Sequence, residues 1–171
     1  MPEYSSKKVE LFYLAFGDIW GAEQTWRGNP NLAMYLCQLA TEKTMKGFLR
    51  CLNKSYEFSH DLNALLNVLY PTLIKLDSET IKYIQYLDRW GSRLRYKSMP
   101  SDPTKEDSEI AIIRTKKIMQ EFAGNSHVSK FMSEADEIWN KTLNTIREED
   151  KKEIDALKAE LEKERAKSKK T

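Results

Sequence analysis

The chain has 171 residues and a mass of 20.0 kDa, which suits one domain or one domain with a tail. Six glycines and five prolines are few, which excludes collagen-like chains and disfavours turn-rich all-β folds. With 28 basic and 26 acidic residues, the formal net charge is only +2. A protein whose bulk charge attracts nucleic acid is therefore excluded.

Apolar residues recur mostly at helical spacing and predict six helices in an all-α chain. The first helix is expected over about 6–26, and Gly28, Asn29 and Pro30 break the chain after it. The next three helices are expected over about 31–52, 60–70 and 78–96. Each of the four has apolar side chains repeating on one face, which predicts that they pack together as a bundle.

A helix-start signal opens the second half of the chain. Asp102 is followed by Pro103, which suits an N-cap and a proline in the first turn. We therefore expect a fifth helix to about residue 123, with Gly124 as its C-terminal stop. A sixth amphipathic helix is expected to begin near residue 126 and to pack on the bundle as far as residue 146.

The composition changes at residue 147, and 17 of the 25 residues that follow are charged. The apolar residues that could form a seam there are Ile154, Leu157 and Leu161. Asp150 and Glu164 also fall on seam positions, and coiled coils usually need three to four heptads. We predict a domain boundary near residue 125 and a charged, partly disordered helical tail over 147–171, with a weak dimerising coil as the alternative.

Several site classes are not indicated by the sequence. No uncharged run reaches the ~20 apolar residues of a membrane span, and no secretory signal is recognised, so we expect a cytoplasmic protein without membrane association. Cys37 and Cys51 would lie about 21 Å apart on one helix, too far for a disulfide. The two cysteines with His60 and His127 form no zinc spacing, so neither a metal nor a cofactor is expected.

Three segments occur in an order that resembles the HEPN domain family (higher eukaryotes and prokaryotes nucleotide-binding). They are LCQLATEKTMKGFL at 36–49, SHDLNALL at 59–66 and LDRWGSRLRY at 87–96. The positions that match the family pattern are Gln38, Ala40, Glu42, Lys43, Lys46, Leu49, His60, Asp61, Leu62, Arg95 and Tyr96. The resemblance covers roughly residues 5–123.

The resemblance implies a fold and a range of roles. The fold is an up-and-down four-helix bundle with a short extra helix, often dimeric, to which this chain adds a long C-terminal helical extension. The implied ligand is a nucleotide, a nucleic acid such as RNA, or a protein. A nucleotidyltransferase is one implied partner, and a bacterial defence or toxin–antitoxin system is one implied setting.

Many members of the family are metal-independent ribonucleases whose motif is an arginine followed, after four to six residues, by a histidine. Histidine can move a proton near neutral pH, and arginine can hold the scissile phosphate. In this chain nine residues separate Arg50 from His60, and twelve separate Arg114 from His127. Neither spacing fits the motif, so a non-catalytic role is favoured over catalysis.

The candidate ligand-binding residues are Gln38, Glu42, Lys46, His60, Asp61, Arg89, Arg93, Arg95 and Tyr96. Each also has a structural interpretation. His60 could pack on a neighbouring helix while Asp61 or Ser59 caps a turn, and Glu42 could pair with Arg93 or Arg95 across the bundle. No catalytic residue is assigned.

The fourth helix carries a basic stripe of Arg89, Arg93 and Lys97 among aromatic residues. Such a stripe can bind a nucleic-acid backbone and stack bases, or it can be a solvated face beside core aromatics. Three functions therefore remain open: a non-catalytic HEPN protein that binds a nucleotide, nucleic acid or protein; a ribonuclease toxin with a rearranged site; and a structural adaptor that pairs through its sixth helix and tail.

Overall fold

The computed structural model of the protein describes residues 6–56, 60–70, 72–96 and 102–168, with side chains described to residue 90 in the fourth helix and to residue 160 in the sixth. Six α-helices and no strand occur within these ranges. They are α1 (Lys7–Thr25), α2 (Pro30–Cys51), α3 (Leu62–Leu69), α4 (Ser78–Tyr96), α5 (Lys105–Ala123) and α6 (Ser129–Ser168). The all-α class, the short extra helix and the long C-terminal helix are as predicted.

Side-chain caps define the first three helix starts. The Ser6 side chain accepts a hydrogen bond from the backbone amide of the third residue after it, and Asn29 does the same at the start of α2. Pro30 follows as the first helical residue, where a missing N–H costs nothing. Asp61 caps α3 in the same way, which confirms its predicted capping role.

The start of α5 differs from the prediction. The N-cap is Thr104, and the expected cap at Asp102 is wrong. The Thr104 hydroxyl accepts from the Asp107 amide at 3.1 Å, while the Asp107 carboxylate accepts from the Thr104 amide at 2.9 Å. This reciprocal capping box satisfies two backbone donors, one more than a cap at Asp102 alone. The predicted stop at Gly124 is confirmed as the C-cap.

Helix α2 is the central element of the bundle. It packs most extensively on α1 and also contacts α3, α4 and α5, so its second half is buried on nearly every side. Gly47 lies against the fully buried ring of Phe12, and a Cβ built there would lie 2.7 Å from a ring carbon. Phe48 meets Phe122 of α5 edge to face at 5.1 Å between ring centroids. The close approach of α1 and α2 therefore depends on a glycine.

Helix α6 packs on α1 mainly around the ring of Trp139. The ring of Trp139 meets Tyr13 and Trp20 edge to face, at centroid distances of 5.4 and 6.1 Å. Trp139 also covers Gly17, and the Tyr13 hydroxyl hydrogen-bonds to Thr142 at 3.4 Å. Within the described ranges, α6 and every other helix lack the combination of length and apolar character that a membrane span requires.

The two cysteines lie on α2 as free thiols, as predicted. Cys37 is fully buried, and burial raises the pKa of its thiol to about 12. Cys51 lies at the end of the helix and is half-buried, and burial raises its pKa to about 11. Neither thiol is poised as a nucleophile near neutral pH.

Candidate functional site

A row of polar side chains runs along one face of α2. Gln38, Glu42, Lys46 and Arg50 follow one another at four-residue spacing, which places them on the same side of the helix. The first three are 0%, 4% and 7% exposed, respectively, although α2 is otherwise packed with apolar side chains. Charged groups at this depth need partners, so their contacts define the site.

The carboxylate of Glu42 is the centre of these contacts. Its Oε1 accepts from the Lys46 ammonium at 2.6 Å, and its Oε2 accepts from the Gln38 amide at 3.3 Å. The Nδ1 of His60 lies 3.0 and 3.1 Å from the two carboxylate oxygens. The charge of Glu42 is therefore balanced by Lys46 on the same helix, and its oxygens also contact Gln38 and His60. The side chains of Arg93 and Arg95, the predicted partners, lie outside the described residues.

His60 is the accessible member of the cluster. Its side chain is 56% exposed, and it immediately precedes the cap of α3. Donation from Nδ1 to Glu42 fixes the ring orientation and, in the neutral ring, leaves Nε2 as the acceptor. Gln38 holds the same residue a second time, because its Nε2 donates to the His60 carbonyl at 3.2 Å. His60 therefore contacts the neighbouring helix α2, as predicted, while much of its ring stays exposed.

The start of α3 is fixed by a residue that sequence reasoning missed. Asp88 of α4 accepts from the Leu62 amide and from the Asn63 side chain, each at 2.7 Å. Asp61 caps the same turn through the Ala64 amide at 2.9 Å. The available signal was a carboxylate at the edge of the apolar stripe of α4, because a buried acid must find donors. His60 is therefore presented from a rigid helix start.

The chain that follows α2 is also held in place, through Tyr56. Tyr56 accepts a hydrogen bond from Arg50 Nε at 3.1 Å, and the Lys46 ammonium lies 5.8 Å from the centre of its ring. The Lys46 and Glu42 side chains are 9% and 5% exposed, so their ion pair is largely shielded from water. Sequence reasoning placed neither Tyr56 nor Arg50 in the site, because both contacts depend on how the chain returns after α2.

The predicted basic stripe of α4 is only partly described. Arg89 is exposed on the helix surface. The backbone of Arg93, Arg95 and Tyr96 belongs to α4, but their side chains, and the whole of Lys97, lie outside the described residues. Arg89 is therefore the one residue of the stripe whose side chain is described, and it is exposed at the surface.

The aromatic residues of α4 are mainly part of the core. Tyr83 and Trp90 are buried, and Tyr86 lies between them with ring centroids at 5.6 and 6.2 Å. Burial also raises the pKa of the Tyr83 hydroxyl. Since a base needs an open ring face, Tyr86 is the described aromatic best placed for stacking on this helix.

A shallow groove of about 460 Å³ lies between α4 and α5. Its lining residues are Glu79, Lys82, Tyr83, Tyr86, Asp107, Ile110 and Arg114. The Arg114 guanidinium lies 5.4 Å from the centre of the Tyr83 ring and 3.8 Å from the Glu79 carboxylate. Acidic and basic side chains alternate in it, so the groove has no single charge preference.

Comparison with protein families identifies most of the bundle. A model of the HEPN domain matches residues 23–126, more than half of the chain, from the end of α1 through α5. The chain belongs to the HEPN domain family. No curated protein and no solved structure matches the chain.

Membership of the HEPN family supports a nucleotide- or RNA-related role at the level of the family. The matched region contains the α2 polar row, His60 and the described part of α4. Helix α6 begins beyond the matched region. The candidate ligand site therefore lies inside the region matched by the HEPN model, and α6 lies outside that region.

Proposed function

We propose that this HEPN protein is a non-catalytic module that binds a nucleotide or RNA at the surface around His60 and Arg89. The observation that carries the proposal is the Glu42 network, in which Lys46 and His60 are both bound to one buried carboxylate. Lys46 is thereby neutralised and buried. The motif on α2 then serves to hold His60 in place, rather than to supply a cation to a phosphate.

The surroundings of His60, as far as side chains are described, support binding without cleavage. Cleavage through the 2′-OH needs an acid–base group and a fixed cation on the scissile phosphate. Among the side chains described in the structure, Glu42 contacts the His60 ring and no arginine does. An exposed histidine and an exposed arginine on a rigid scaffold can still bind phosphate and base edges.

Fluorescence anisotropy with labelled single-stranded RNA, competed by unlabelled nucleotides, tests the proposal. His60→Ala and Arg89→Ala should each weaken binding by about three- to tenfold, as expected for one lost phosphate or base contact. The matched controls are His127→Ala and Arg147→Ala, which remove exposed residues of the same type elsewhere. Failure of the wild type to bind any nucleotide or RNA would contradict the proposal and leave protein partners.

A ribonuclease is the second candidate, favoured by one observation. The 3.0 Å contact between His60 Nδ1 and Glu42 is the arrangement that orients a histidine for proton transfer. Purified protein should then cleave RNA in EDTA, His60→Ala should abolish cleavage, and His127→Ala should leave the rate unchanged. RNA that stays intact with the wild type would exclude this candidate and agree with the binding module.

We also propose a protein partner and a cellular setting for this chain. The HEPN resemblance implies a nucleotidyltransferase partner and a defence or toxin–antitoxin role. Co-purification of the chain with the product of an adjacent nucleotidyltransferase gene would support this setting. A chain that purifies alone when both are produced together would count against it.

A further inference from the structure

Helix α6 extends far beyond the bundle that it packs against. It has 40 residues, or about 60 Å at 1.5 Å per residue, whereas α1 has 19 residues, or about 28 Å. Its contacts with α1 involve Trp139 and Thr142, and every residue from 147 to 160 is exposed. Isolated helices are marginal in water, so an overhang of this length gains stability from a partner.

The overhang carries apolar side chains on one face. Ile154 and Leu157 are 50% and 53% exposed, although burial is favourable for both side chains. They are three residues apart, and Leu161 follows four residues later, which is the spacing of heptad positions a, d and a. In parallel coiled coils, isoleucine at a with leucine at d favours two strands over three or four.

The flanking charges select the partner and its orientation. With Ile154 at position a, Glu153 takes position g and Lys151 and Lys158 take position e. In a parallel pair, position g faces position e of the next heptad, so Glu153 meets Lys158 of the partner subunit. In an antiparallel pair, position e faces position e, so Lys151 would meet Lys158 of the partner subunit. Only the parallel arrangement places opposite charges together.

We propose that the α6 overhangs of two copies of this chain pair as a short parallel coiled coil centred on Ile154 and Leu157. Asp150 would face Asp150 of the partner subunit at the next layer towards the bundle, which limits the coil on that side. The proposal concerns a surface outside the HEPN match and does not rest on the proposed ligand site.

Site-directed cross-linking of the full chain tests the register directly. Leu157→Cys is made with Cys51→Ser, and Cys37 is kept because it is fully buried. In the parallel pair, position 157 faces itself, so mild oxidation should give a disulfide-linked dimer more than about tenfold faster than for Ala159→Cys on the outer face. Equal rates for the two variants, or cross-linking only between Ile154→Cys and Leu157→Cys chains, would overturn the parallel coil.

Charge reversal gives a second, independent measurement by analytical ultracentrifugation. Glu160 occupies the next g position after Glu153, and Arg165 occupies the next e position after Lys158. Glu153→Lys with Glu160→Lys should raise the dimer dissociation constant about tenfold, and so should Lys158→Glu with Arg165→Glu. Mixing the two variants should restore association as a heterodimer. Ile113→Asp is the control, because it changes an apolar side chain that is 62% exposed on α5. No recovery on mixing, or the same loss with Ile113→Asp, would overturn the proposal.

Discussion

The buried carboxylate of Glu42 makes the α2 motif sensitive to a single substitution. Glu42→Gln keeps the shape of the side chain but leaves the Lys46 ammonium, 9% exposed, without its carboxylate. Removing one member of a buried ion pair typically costs several kcal/mol, and we expect a loss of about 3 kcal/mol in the free energy of unfolding. Urea denaturation measures this loss.

The matched control is His60→Gln, which leaves the Lys46–Glu42 pair in place. We expect it to cost less than about 1 kcal/mol, because the His60 ring is largely exposed. If Glu42→Gln were as stable as His60→Gln, the carboxylate would not be an internal brace. The Lys46 side chain would then be available for a ligand, which would contradict its role in holding His60 in place.

The close packing of Gly47 predicts a second effect of a single substitution on stability. Gly47→Ala places a Cβ 2.7 Å from the buried Phe12 ring, and overpacking of this kind costs about 1–3 kcal/mol. Helix propensity alone predicts the opposite, a gain of about 1 kcal/mol. Gly17→Ala is the control, because its Cβ would meet Trp139 at an ordinary 3.4 Å. Thermal unfolding should show destabilisation for Gly47→Ala and a neutral or raised midpoint for Gly17→Ala; equal midpoints would contradict the packing argument.

At the scale of helices, the start of α4 links stability to pH. The Asp77 carboxylate accepts from the Thr80 amide and pairs with Lys117 of α5 at 3.3 Å. These contacts hold the pKa of Asp77 below its usual range, with the Thr80 amide as the largest cause. Because the native pKa is the lower one, the stability is present above about pH 4 and is lost as pH falls through the native pKa.

Asp77→Ala should therefore be less stable than the wild type at pH 7, with a smaller difference at pH 3. Urea unfolding of both chains at the two pH values measures this change. Asp155→Ala serves as a control, because it removes an exposed carboxylate in the middle of α6. A difference between wild type and Asp77→Ala that is the same at both pH values would show that the carboxylate contributes no charge-dependent stability.

The helices themselves could be predicted well from the sequence, for a local reason. Apolar spacing and capping residues are contained in short segments, and α4 was predicted at its observed bounds. The start of α5 was not, because two cap signals compete there and the capping box at Thr104 satisfies more donors. Local patterns therefore define the elements, and hydrogen-bond satisfaction decides between neighbouring starts.

At the scale of the whole molecule, part of the contact geometry of the candidate site was predicted. The four-residue spacing placed Gln38 and Glu42 on one face, and their hydrogen bond confirms it. The contact of Glu42 with His60 joins residues 18 positions apart, and that of Asp88 with Leu62 joins residues 26 apart. Contacts at such separations depend on how α3 packs against α2 and α4, which periodicity does not specify.

The bundle should be independent of the α6 overhang. Residues 147–160 are exposed throughout, so deleting 147–171 removes no described buried side chain. We expect the urea m-value to change little. The free energy of unfolding at low protein concentration should stay within about 1 kcal/mol of that of the full chain. Deleting 127–171 is the contrasting variant, because it removes Trp139 from α1 and should destabilise the bundle markedly. Equal effects of the two deletions would contradict this division.

The modification rates of the two thiols of α2 should report on local and global unfolding of the protein. Cys51 lies at the last turn of the helix, where fraying exposes it, whereas Cys37 is sealed between helices. A thiol reagent should therefore modify Cys51 at a rate set by local motion and Cys37 at a rate set by opening of the bundle. The ratio of the two rates separates end fraying from global unfolding in the unmodified chain, without any introduced label.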